Sequence, residues 1–200
     1  DALEVLRTLP SESVHMCVTS PPYFGQRSYG VDGQYGLEST PRDYVSRLVE
    51  VFREVRRVLR ADGTLWLVLG DSFAGSGRGM NGDGTPGKAG PKQLTNTGSN
   101  IDLSFLARGE RYRGGAGFKP KDLIGIPWMV AFALRDDGWW LRSDVVWSKP
   151  NSLPESVEDR PTRSHEYVFL LAKSSRYYYD AEAVKEPLAA SSLARISQDN

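Results

Sequence analysis

A run of β-forming apolar residues, Val14-His15-Met16-Cys17-Val18, breaks off at Pro21-Pro22. A buried strand has to stop there, because proline has no N–H to give to a ladder. A long amphipathic helix follows. Thr40 is a good N-cap, Pro41 suits the first helical position, and Asp43 stands where a capping acid belongs. Tyr44, Leu48, Val51, Phe52, Val55 and Leu59 recur at the 3.6-residue period, with Arg42, Arg47, Glu50, Arg53, Glu54 and Arg57 on the outer side. Gly63 is expected to end this helix. Residues 64–69 read as a second buried strand, 127–135 as a helix closed by Gly138, and 139–147 and 166–171 as strands. Leu3, Val5, Leu6 and Leu9 add a short helix or turn ended by Pro10. Strand, helix, strand, helix and two late strands predict an α/β domain with a largely parallel sheet.

From Asp71 to about Phe118 the periodicity vanishes and Gly, Ser, Asn, Lys and Arg dominate. The expected organisation is one domain over 1–200 with an insertion over about 71–119, a length of loop that is usually functional or disordered. The stretch from Gly75 to Gly98 offers little apolar surface to offset its ordering entropy, so it is expected to be mobile without a ligand and to lie on the substrate side. With 40% hydrophobic residues the domain can build its own core. The opening Asp1-Ala2-Leu3 and the closing Ser197-Gln198-Asp199-Asn200 read as the ends of a fragment. Lys plus Arg balance Asp plus Glu at 25 each, which argues against a wholly electrostatic nucleic-acid binder but allows one basic face. The single Cys17 excludes an internal disulfide and fits a reducing cytoplasm. No apolar run approaches the roughly 20 residues of a membrane span, and two His with one Cys make no metal cluster.

The chemistry is expected at Thr19-Ser20-Pro21-Pro22-Tyr23. In open α/β sheets ligands bind beyond the carboxyl ends of the strands, and this loop leaves one. The prolines hold the backbone carbonyls in set directions, and an aromatic ring follows at once, ready to stack on a planar partner. Such parts suit methylation of an exocyclic base amine. That nitrogen is a poor nucleophile because its lone pair is conjugated with the ring. Acceptors on its two N–H groups bias the lone pair outward; Ser20 Oγ and the Pro21 carbonyl can be those acceptors, with Tyr23 stacking on a base flipped from the duplex. Methyl transfer from a sulfonium then needs in-line placement.

On these residues the chain resembles the S-adenosylmethionine-dependent DNA amino-methyltransferases, whose catalytic motif is Asp, Asn or Ser followed by Pro-Pro and an aromatic. Asp1-Ala2-Leu3-Glu4-Val5-Leu6 with Leu9-Pro10 and Ser13-Val14 is similar to the family's stretch before that motif. Lys149-Pro150-Asn151 and the run from Asp159 to Tyr167 resemble a stretch of bacterial and phage members. The resemblance implies a Rossmann-like fold, S-adenosylmethionine as methyl donor, double-stranded DNA as substrate, a cytoplasmic bacterial, archaeal or phage enzyme, and a cognate restriction endonuclease as a possible partner. It places the catalytic motif before the cofactor loop, a permuted order. The family's Phe-x-Gly-x-Gly cofactor loop is absent after Tyr179-Asp180, so only Asp1 and Thr19 are assigned to cofactor binding. Ser20 fits the cytosine-N4 pattern, with adenine-N6 as the alternative.

Arg111, Arg113, Lys119, Arg160 and Arg163 read as a surface for DNA phosphates, or equally as solvated loop charges. Asp71-Ser72-Phe73-Ala74-Gly75-Ser76-Gly77 imitates a cofactor loop, but the glycines that follow it cannot open a helix. Asp71 is read either as orienting Ser20 or as turning the chain. His165, Trp139-Trp140 and Tyr177-Tyr178-Tyr179 read as structural. Two competitors to the enzyme remain: a non-catalytic DNA-binding homologue, and a polyproline ligand at Ser20 to Tyr23, which needs an exposed and disordered setting.

Overall fold

A computed structural model describes residues 1–26, 29–74, 118–119, 121–152, 155 and 158–187. Its elements are α1 (Ala2–Thr8), β1 (Val14–Thr19), α2 (Pro41–Val58), β2 (Leu59–Leu69), α3 (Ile126–Asp136), β3 (Trp140–Ser148) and β4 (His165–Ala172). Helix α2 begins as the sequence requires. Thr40 Oγ1 accepts from the Asp43 amide at 3.1 Å and donates to the Asp43 carboxylate at 2.8 Å. Its inner face buries Tyr44, Val45, Leu48, Phe52, Val55 and Val58. The helix stops at Val58, well before Gly63, because Leu59 turns extended and enters β2 directly. Gly63 lies inside β2 instead. There Leu59 pairs with Val14 and Thr64 with Met16, so residues 60–63 bulge outward. A Cβ at Gly63 would stand 3.0 Å from the His15 carbonyl of the neighbouring strand.

The sheet order is β1-β2-β4-β3. Strands β1 and β2 are parallel, while β4 is antiparallel to both β2 and β3. Three strands therefore point one way, as expected, but β4 inserts between two of them and only one pairing is parallel. The sheet is mixed rather than largely parallel. The reason is the connection from β3 to β4: no described helix lies between them to carry a parallel crossover, and antiparallel neighbours need none. The fold is nonetheless α/β and Rossmann-like.

Helices α2 and α3 cover one sheet face, packing on Leu65, Leu67, Leu69, Phe169 and Leu171, all fully buried. Cys17 turns toward that core. On the other face β1 is not the buried strand expected: Met16 and Val18 are 55% and 63% exposed, alongside Val145 and Trp147. Trp139 is buried as expected, whereas Trp140, Tyr178 and Tyr179 are exposed. Residues 72–74 pair with 121–124, with hydrogen bonds from the Ala74 amide to the Asp122 carbonyl, from Lys121 back to Ala74, and from Ile124 to Ser72. The ends of the expected insertion thus meet at one stem; Gly75 to Gly98, Arg111 and Arg113 lie outside the described residues. The topology brings the carboxyl ends of β1, β2 and β3 and the amino end of β4 to one edge.

Candidate functional site

The loop from Ser20 to Tyr23 is clamped from several sides. The Tyr44 hydroxyl, carried inward by α2, donates to the Pro22 carbonyl at 2.9 Å. Burial first, and then the charges of Glu38 and Tyr23, push the Tyr44 phenol far above its ordinary pKa, so it stays a neutral donor. Phe24 is buried against the Tyr44 ring at 5.4 Å between centroids, and the Ser72 hydroxyl donates to the Phe24 carbonyl at 2.8 Å. Gly36 approaches so closely that a Cβ there would stand 2.8 Å from the Tyr23 carbonyl oxygen, and its φ of +91° also demands glycine.

Tyr23 itself lies on Gly70, the residue after β2. A Cβ at Gly70 would stand 2.5 Å from Tyr23 Cε2, so the ring occupies the space a side chain would take. The Tyr23 hydroxyl donates to Glu166 Oε2 at 3.0 Å, and Lys149 Nζ pairs with the other oxygen of that carboxylate. Burial raises the Tyr23 pKa, a hydrogen bond from Ser20 opposes this, and the Glu166 charge adds to the rise. Ser20 is exposed at the tip of the loop. Beside this group opens a cleft of about 580 Å³, whose lining includes Gln26, Asn151, Arg163 and His165 as well as Lys149 and Glu166.

Asp71 does not touch Ser20 through any recorded contact. Its Oδ1 accepts from the amides of Ser72, Gly125 and Ile126 at 2.9 Å each, which caps α3 from a distant strand end. Its Oδ2 lies 3.7 Å from Arg163. Arg160 stacks on Phe73 at 3.8 Å and binds Glu155 at 2.6 Å. Lys119 is exposed. Thr19 ends β1 beside the loop, and the Asp1 carboxylate accepts from the Leu3 amide at the head of α1. His165 packs edge-on against Tyr167 at 5.3 Å and also lines the cleft. The structure thus joins Ser20, Pro22 and Tyr23 in one unit and turns Arg160 and Arg163 toward protein partners.

Two residues that hold the loop were not singled out as site residues in the sequence. Glu166 falls in the family-like run from Asp159 to Tyr167 and heads an apolar strand, but nothing in the sequence pairs it with Tyr23, 143 residues away. Tyr44 was read as core, although a buried phenol needs a partner for its hydroxyl.

A family described as DNA methylase matches residues 14–198. The chain is 54% identical over 186 residues to the Type II methyltransferase M.Cfr9I of Citrobacter freundii, covering 93% of this chain and 57% of that protein. It is 50% identical over 189 residues to M.SmaI of Serratia marcescens, covering 94% and 59%. The chain thus spans less than two thirds of these relatives. Among solved structures it resembles the PvuII DNA methyltransferase (cytosine-N4-specific), with a TM-score of 0.53 at 20% identity over 92% of this chain and 51% of that one.

Proposed function

We propose, since this chain belongs to the DNA methylase family, that it is the catalytic part of a site-specific DNA methyltransferase that methylates an exocyclic base amine, cytosine N4 in preference to adenine N6. The observation that carries this reading is the clamped Ser20-Pro21-Pro22-Tyr23 loop at the carboxyl edge of the sheet. A polyproline ligand needs an exposed and disordered setting, whereas this loop is fastened by Tyr44, Gly36 and Gly70, with Pro21, Pro22 and Tyr23 half-buried.

The amine of a flipped base meets two acceptors, Ser20 Oγ and the Pro21 carbonyl. The Pro22 carbonyl is committed to Tyr44, while no hydrogen bond to the Pro21 carbonyl is recorded among the described residues. These acceptors draw the two N–H groups aside and turn the lone pair toward the donor. The Tyr23 ring stacks on the base and holds it for in-line attack. The family's donor, S-adenosylmethionine, supplies the methyl group on a sulfonium. Thr19, half-buried at the end of β1, fits a place beside that donor. The Asp1 carboxylate fits less well, being turned back onto Leu3.

The preference for cytosine rests on Ser20, whose hydroxyl both accepts and donates and so tolerates the ring acceptor beside the amine better than a fixed carboxylate. Lys119, Arg111 and Arg113 are the proposed phosphate contacts; Arg160 and Arg163 serve first to hold the cleft wall. A cognate restriction endonuclease and a cytoplasmic setting complete the reading. The test uses full-length protein, labelled S-adenosylmethionine and duplex DNA, followed by digestion and mass spectrometry. N4-methylcytosine is the expected product. N6-methyladenine alone would overturn the base assignment, and absence of any methylated base would overturn the activity.

A further inference from the structure

The sheet register explains why Tyr23, Glu166 and Lys149 meet. Leu69 pairs with Tyr167, so one residue further on Gly70 comes opposite Glu166. Trp147 pairs with Glu166 from the other side, and Lys149 follows two residues later on the same face. Since side chains alternate across a strand, Gly70, Glu166 and Lys149 share one face of the sheet at its active edge. Gly70 has no side chain, and the Tyr23 ring fills the gap, reaching Glu166 with its hydroxyl. Lys149 is itself tied to the start of β4, its amide donating to the Ser164 carbonyl at 2.7 Å.

From this arrangement we propose that Glu166, oriented by Lys149, is a positioning residue that fixes the plane of the Tyr23 ring on which the target base stacks. The proposal rests on the methyltransferase reading above and names how that site is held. Gly70 backs the ring along its Cδ2–Cε2 edge, and a tyrosine ring can otherwise turn about two side-chain torsions. A hydrogen bond at the far end of the ring removes that freedom. Ionised carboxylates accept such bonds more strongly than neutral groups do. The ammonium of Lys149 holds the carboxylate in place, so the orientation reaches Tyr23 from two strands at once.

A double-mutant cycle in the full-length enzyme tests this. Tyr23→Phe keeps the ring and removes the hydroxyl; Glu166→Ala removes the acceptor; Glu166→Gln restores an acceptor oxygen. Each of the first two is expected to lower kcat about 10- to 100-fold, with KM for DNA changed by less than about threefold. The double variant is expected to be no slower than the worse single one, because both cut the same contact. Glu166→Gln should recover most of the rate. With 2-aminopurine at the target position, Glu166→Ala should brighten the fluorescence, because the Tyr23 ring is no longer held flat against the flipped base. Full multiplicativity of the two single effects, or wild-type kcat in Glu166→Ala, would overturn the proposal. The same cycle is run on thermal unfolding, which needs no substrate and also establishes that each variant folds. If the wild-type enzyme methylates no DNA, the functional reading fails by itself. The unfolding cycle then still decides the contact: additive shifts in Tm would overturn it, and non-additive shifts support it.

Discussion

Replacing Gly70 by alanine separates catalytic geometry from stability more sharply than any change to the motif itself. The new methyl group would lie 2.5 Å from Tyr23 Cε2 and 2.8 Å from Cδ2. Carbon atoms pack at about 3.5–4.0 Å, so the ring has to retreat by roughly 1 Å. The backbone does not oppose the change, since Gly70 is not among the glycines with positive φ. Alanine in place of glycine gains about 0.4–1 kcal/mol by restricting the unfolded chain. Against this stands the bond to Glu166, about 1.5–3 kcal/mol for a charged acceptor, and less here because half-buried Tyr23 can turn to water. Stability should therefore change by no more than about 2 kcal/mol. Catalysis should suffer far more, because a 1 Å misplacement at a reacting centre can cost about 100-fold. The assay is labelled methyl transfer to DNA by the full-length Gly70→Ala protein, beside its thermal unfolding curve. A folded variant that methylates at the wild-type rate would refute the claim that the Tyr23 ring position matters.

Asp71→Ala strips three amides of their cap and leaves Arg163 facing an empty site, so urea unfolding should show a loss of about 3 kcal/mol. Asp71→Asn, which keeps an acceptor oxygen, should lose about 1 kcal/mol. Tyr44→Phe should cost about 1–2 kcal/mol at neutral pH by orphaning the Pro22 carbonyl. Because the folded pKa of Tyr44 is raised, its contribution is full below the unfolded value of about 10 and is lost as pH climbs through the folded one; the gap in Tm between wild type and Tyr44→Phe should narrow above pH 10. Arg57→Ala removes the bonds that tie α2 to the carbonyls of Leu6 and Leu9 and to Ser11. Hydrogen exchange over residues 2–8 should then accelerate while β2 keeps its protection.

The sequence could announce Thr19-Ser20-Pro21-Pro22-Tyr23 because everything it says is local. A β-forming run, two residues without an amide proton and an aromatic ring need no partner from elsewhere to be read. The same holds for Thr40, Pro41 and Asp43 at the head of α2, where cap and acid lie within one turn. Gly63 misled because a glycine after a helix has a common local meaning, whereas here it answers to a tertiary constraint, the His15 carbonyl on the next strand. The direction of β4 was hidden for a related reason, since periodicity gives a strand's faces but not its sense. Asp71 shows how far such constraints reach. At the end of β2 it looked like a neighbour for Ser20, yet it is committed to the amides that open α3, more than 50 residues on. Glu166 follows the same logic in the opposite sense, for a polar residue at the head of an apolar strand acquires its role only when the register sets it opposite Gly70. An acid at a strand end is thus uninterpretable until its across-strand partner is known. With the partner known, Asp71 becomes a cap and Glu166 a clamp, and only the second bears on chemistry. An exchange of roles is the consequence to look for: loss of Asp71 should be felt in unfolding more than in kcat per folded molecule, and loss of Glu166 in kcat more than in unfolding.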